Sequence, residues 1–180
     1  NEYTYKTHRQ NIIDGWSRND FLIGKFIDVL LITLLVTLLY FIVALIIGFA
    51  STKAPVQDIF SKSSYVGLFA LQTFSQLSIA FLIGFLVRKS FIALSIFIFY
   101  YLIVENTLVN ILKVKANDIG RFLPLEISDR LIPVPAFLGK FNEDSYKASL
   151  DAIGLYIWLT LAVTAAIWFL CYWINKNRDL

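Results

Sequence analysis

Four long stretches of the chain are nearly free of charge, and polar segments separate them. A helix that crosses a bilayer needs roughly 20 mostly apolar residues. Residues 26–50 (FIDVLLITLLVTLLYFIVALIIGFA), 67–87, 91–112 and 152–174 each meet that requirement. The pattern predicts an all-α membrane protein, a single transmembrane domain over 1–180 with four transmembrane helices. None of the four has the N-terminal position, short core and small-residue cleavage site of a secretory signal peptide. A polar segment over 1–25 precedes the first span, and a tight turn at Arg88-Lys89-Ser90 and a long loop over 113–151 lie between later ones.

Composition agrees with a lipid environment. The 180 residues are 58% hydrophobic and 16% charged, with mean hydropathy +0.68. Soluble domains run about 45–50% apolar and about 25% charged. Aromatic content of 16%, with Gly 8, Pro 4 and Cys 1, excludes disordered, collagen-like and disulfide-stapled chains. The sequence contains no Met and starts at Asn1 within a charged, helix-like stretch. That start predicts a processed or partial chain that lacks something N-terminal.

Lys and Arg near the span ends set orientation. One side receives Lys6, Arg9, Arg18, Lys25, Arg88, Lys89, Lys176 and Arg178 in short, dense sets. The opposite side has as many, but those of the long loop are balanced by Asp118, Glu126, Asp129, Glu143, Asp144 and Asp151. Both termini are therefore expected in the cytoplasm. The pI of about 9.0 reflects basic residues scattered at membrane borders. With no basic stripe interleaved with aromatics, no nucleic-acid partner is expected.

The polar segment reads as a helix over Glu2–Ile13, stopped by Asp14-Gly15. Ser17-Arg18-Asn19-Asp20 then has capping-box spacing, Ser at the N-cap and an acid three residues on. The helix started there runs through Phe21 and Lys25 into the first span. Physically this could be only a solvated juxtamembrane helix; it is also a rigid connection through which contact at the short helix reaches the span.

The same stretch resembles the cytoplasmic loop of permease subunits in the type-2 ABC exporter family. The residues that carry the resemblance are Glu2, Thr7, Arg9, Gln10, Asp14-Gly15, Ser17-Arg18, Phe21 and Lys25, with the terminal Asn177-Arg178-Asp179-Leu180. The order of spans, tight basic turn and large outer region before the last span is also similar. The resemblance implies a bacterial inner-membrane transport subunit that pairs with a second permease copy, identical or not. Family members usually have six spans, so these would be the last four. The resemblance further implies that Glu2–Asp14 is a coupling helix seated in a separate ATPase subunit, with Glu2, Lys6, Thr7, Arg9, Gln10 and Asp14 at the contact. ATP and Mg would then be bound by that partner. This chain has no P-loop, and no cofactor or metal of its own is expected.

Enzymatic chemistry has little to work with. One His (His8) and one Cys (Cys171) cannot build a metal set, and G-x-S-x-G is absent. Polar residues inside the spans are the better candidates. Gln72 and Gln76 lie one turn apart, and Glu105 and Asn106 are neighbours followed by Asn110. A carboxylate in hydrocarbon is costly and faces protein, water or a partner. Gln72, Gln76, Glu105 and Asn106 are therefore candidates for a translocation path. They could instead serve hydrogen bonding between the second and third spans, with Glu105 protonated or capping a helix break near the outer surface. Tyr156 and Trp158, and Trp168, Tyr172 and Trp173, read as two aromatic belts that anchor the last span. Phe122–Pro133 reads as a short amphipathic helix whose apolar side lies along the membrane interface, capping the path or merely hugging the surface.

Three functions remain open at this level. The first is the permease subunit of an ATP-driven exporter. The second is a non-transporting polytopic scaffold or anchor. The third is an ion-coupled secondary transporter that uses Glu105.

Overall fold

The computed structural model describes residues 17–51, 63–87, 89–115, 118–133 and 143–177. Glu2, Lys6, Thr7, Arg9, Gln10 and Asp14, and with them the expected coupling helix, lie outside the described residues. The described residues are almost all helical, and no strand occurs among them. Four helices are long and apolar enough to cross a membrane, covering Asn19–Ala50, Ser64–Val87, Ser90–Lys115 and Ile153–Asn177.

Helix α1 (Arg18–Ser51) begins at a capping box. The Ser17 backbone N–H donates to Asp20 Oδ2 at 2.9 Å, and the Asp20 N–H donates to Ser17 Oγ at 3.2 Å. Two of the amide donors that a helix start leaves unpaired are satisfied this way. One turn on, Lys25 pairs with Asp28 at 3.1 Å. Beyond that point the outward face of α1 is Leu31, Leu34, Leu35, Leu38, Leu39 and Ile46, all exposed. In water that surface would be untenable; in lipid it is the expected one.

Helix α2 (Ser64–Val87) is the central helix, packed against α1, against α3 (Ser90–Phe99) and against α7 (Ile153–Asn177). Fully or nearly buried Ser75 and Ser78 on α2, with Thr160 and Thr164 on α7, keep both packed faces small. Small side chains let transmembrane helices approach closely. The α7 stripe Tyr156, Thr160, Thr164, Ile167 and Cys171 is buried at helical spacing. Six hydroxyls in these helices are satisfied locally, whereas buried Ser75 Oγ has no partner among the described residues. Thr33, Thr37, Ser78, Ser95, Thr160 and Thr164 each donate to the carbonyl four residues earlier.

The last span corrects the aromatic-belt reading. Trp158, Tyr172 and Trp173 face outward, as anchors should. Trp168 turns inward instead: its Nε1 donates to Ser78 Oγ at 3.0 Å, and its ring meets Phe26 at 4.7 Å and Phe81 at 5.2 Å. Tyr156 is 5% exposed and also faces the interior. Each belt therefore contains one packing residue.

The third span is not a continuous α-helix. After α3 comes a π-helical segment, Tyr100–Glu105, and then α4 (Asn106–Lys115). The chain turns back through left-handed Asp118 (φ 62°) and a 3-10 turn, Ile119–Phe122. Gly120 is required in that turn, because a Cβ there would sit 2.8 Å from Val109 Cα and 3.0 Å from its carbonyl oxygen. Among the described residues the loop also holds two short helices: α5 (Pro124–Asp129), and α6 (Glu143–Asp151), which leads into α7.

Helix α5 forms inside the stretch expected to be amphipathic, but its apolar side faces protein. Leu125, Ile127, Ser128 and Leu131 are at most 3% exposed. The helix packs on α2, on α7 and on the π segment. Its apolar partners include Leu68, Leu71, Tyr156 and Ile157. The reason is polar as well as apolar, since both ends of this short helix find side-chain partners within the spans.

Candidate functional site

Helix α5 starts with two liabilities. Its N-cap, Leu123, has no side-chain oxygen, and Pro124 at the first helical position offers no N–H. The next two amides, of Leu125 and Glu126, would be unpaired donors in an apolar setting. Glu105 takes both: its Oε1 accepts from each at 2.8 Å. A carboxylate on two backbone N–H groups is a charge-assisted cap at the positive end of a helix. It reaches α5 from the last residue of the π segment, a kind of irregularity frequent at functional sites. Tyr100, five residues earlier and so on the same face of a π turn, brings its hydroxyl near that carboxylate without bonding Oε2.

The other end of α5 is held by α2. Asp129 Oδ1 accepts from Gln72 Nε2 at 2.8 Å and from Gln76 Nε2 at 2.7 Å. Gln76 sits midway along the 24-residue helix α2, about 17 Å from either end at about 1.5 Å per residue. The loop therefore folds back deep along the bundle, a re-entrant segment and not a surface one. Irregular backbone at such depth is tolerated where protein or a water-filled cavity surrounds it. Burial pushes the Asp129 carboxyl above the ordinary carboxylate range, and nearby Glu126 adds to this. The hydrogen bonds from the two glutamines pull the other way. The next residue is Arg130, whose Nε donates to Glu126 Oε1 at 2.7 Å and whose guanidinium lies 5.9 Å from the Tyr156 ring centre.

Between α5 and the third span lies a partly open cavity of about 180 Å³. Its polar walls are Glu105, Asn106, Glu126 and Asp129; Tyr101, Leu102 and Leu125 complete it. Of the four residues expected to line a path, Glu105 and Asn106 line this cavity, while Gln72 and Gln76 stand behind Asp129. The expected hydrogen bonding between the second and third spans is replaced by bonds from each of them to α5. Sequence reasoning did not single out Asp129 and Glu126, which read as part of a balanced, solvated loop charge. The available signal was their place on a proline-started helix that also carries Leu125, Ile127 and Leu131. Among the described residues, no group of three His, Cys, Asp or Glu could hold a metal ion.

The match of a family model to residues 1–180 fixes kinship; its description reads "Protein of unknown function (DUF2705)". The chain belongs to the DUF2705 family. No curated protein and no solved structure matches it. What this DUF2705 chain does must therefore be argued from its own geometry: a buried polar cluster and cavity built by a re-entrant helix among apolar spans.

Proposed function

We propose that the chain is the membrane-spanning permease subunit of an ATP-driven ABC exporter in a bacterial cytoplasmic membrane. In this reading both termini are cytoplasmic, and a second permease copy completes the path. A separate ATPase subunit binds ATP and Mg and docks on the Glu2–Asp14 helix. The observation that carries the reading is the polar cavity at the re-entrant helix, since buried carboxylates among membrane helices are expensive and mark substrate or ion pathways. The motif resemblance in the polar N-terminal segment supplies the coupling. Closure of the ATPases would move Glu2–Asp14, and α1 follows the capped turn at Ser17–Asp20 directly.

The test is affinity capture of the tagged full chain from its native membrane. A P-loop ATPase is expected to co-purify, and Arg9→Glu is expected to abolish its capture while leaving membrane insertion intact. Capture of a stable complex without any ATPase would favour a scaffold and reject this reading. The burial of Glu105 also favours a second reading, an ion-coupled transporter. Transport that needs an ion gradient but no nucleotide, and that Glu105→Gln abolishes, would select it.

A further inference from the structure

Glu105 is only 3% exposed, and its two oxygens have different fates. Oε1 caps α5, whereas Oε2 is buried with no hydrogen-bond partner among the described residues. An unsatisfied buried acceptor is costly, and a charged one more so. The same residue lines the cavity together with Asp129, whose Oδ1 receives only neutral amide donors. Glu126, the third acid there, is already neutralised by Arg130, which does not line the cavity. Glu105 and Asp129 thus both line the space without a cationic partner among the described residues.

The remaining walls describe the rest of the occupant. Leu102 and Leu125 offer apolar surface, and Tyr101 adds an aromatic ring. At about 180 Å³ and partly open, the cavity has room for more than a single ion. A bare metal ion would leave most of it unfilled. These walls suit a cation that also donates N–H hydrogen bonds and carries a short hydrocarbon tail.

We propose that this cavity binds a primary alkylammonium group, with the ammonium between Glu105 and Asp129 and the alkyl chain against Leu102 and Leu125. As a statement about transported cargo it rests on the permease reading and names its substrate class, a cationic amphiphile presenting a primary amine. As a statement about binding it concerns this chain alone.

The experiment is calorimetric titration of the full chain in phosphatidylcholine nanodiscs with pentylammonium chloride, with empty nanodiscs subtracted. The expected result is saturable one-site binding. 1-Pentanol, of the same size but neutral, and tetramethylammonium, charged but without N–H donors, should each bind at least tenfold more weakly. Glu105→Gln and Asp129→Asn keep the acceptor oxygens that hold α5 and remove the charge. Each should weaken pentylammonium binding at least tenfold with little change in unfolding midpoint. Absence of saturable binding, equal binding of 1-pentanol, or unchanged affinity in both variants would overturn the proposal. The comparison of the three probes on the unmodified chain decides even where a variant fails to fold. Titration needs no ATPase and ATPase capture needs no amine, so either reading can fail alone.

Discussion

Glu105 shows how one side chain can both hold a helix and line a cavity. Removing it as Glu105→Ala strips the Leu125 and Glu126 amides of their shared acceptor. Buried donors left unpaired cost roughly 1–3 kcal/mol. The thermal unfolding midpoint of purified protein in detergent should therefore fall for Ala and stay near the wild-type value for Gln, which keeps an acceptor. Asp129 gives a pH dependence of definite sign. Its folded-state pKa is raised, chiefly by burial, so the native state holds this proton more tightly than the unfolded chain does. The stabilisation is fully present below the ordinary Asp value of about 3.9 and is lost as pH rises through the raised one. Asp129→Asn should flatten that part of the curve of unfolding midpoint against pH, while the Gln72 and Gln76 bonds persist to the amide oxygen. A steeper acid-side dependence in the variant would contradict this account. At this scale the sequence exposed Glu105 and the glutamines plainly, since polar groups inside apolar runs stand out. Asp129 was hidden, because an acid in a loop rich in charge looks solvated until the loop is seen to turn inward.

At the scale of elements, local patterns predicted well and long-range destinations did not. The capping box at Ser17–Asp20 was legible because both of its partners lie within four residues. The short helix near Pro124 was legible from its proline and its apolar spacing, but its burial was not. Amphipathicity says that one face seeks an apolar partner without saying whether that partner is lipid or protein. The aromatic belts misled for the same reason, since Trp168 and Tyr156 satisfy their polar tips inside the bundle. The π segment left no mark in the hydropathy pattern at all. The return of the loop depends on the close approach of Gly120 to Val109. Gly120→Ala forces backbone apart there and should destabilise by roughly 1–3 kcal/mol, as overpacking does. Unfolding of the purified variant in detergent measures it; a midpoint equal to wild type would show that the turn can yield.

For the whole molecule, three of the four apolar spans pack around a short helix that the loop turns inward. The apolar excess in composition is spent mostly outward, on faces such as that of α1 that only lipid can cover. The polar minority gathers where α2, the π segment and α5 meet. Both the permease proposal and the amine site depend on that arrangement, so the depth of α5 is the claim to test first. In a Cys171→Ser background, Gln76→Cys and Asp129→Cys can be combined and treated, in membranes, with a short bifunctional methanethiosulfonate. The structure predicts an efficient intramolecular link between mid-α2 and the end of α5. Failure to link, with both thiols individually reactive, would contradict a re-entrant α5.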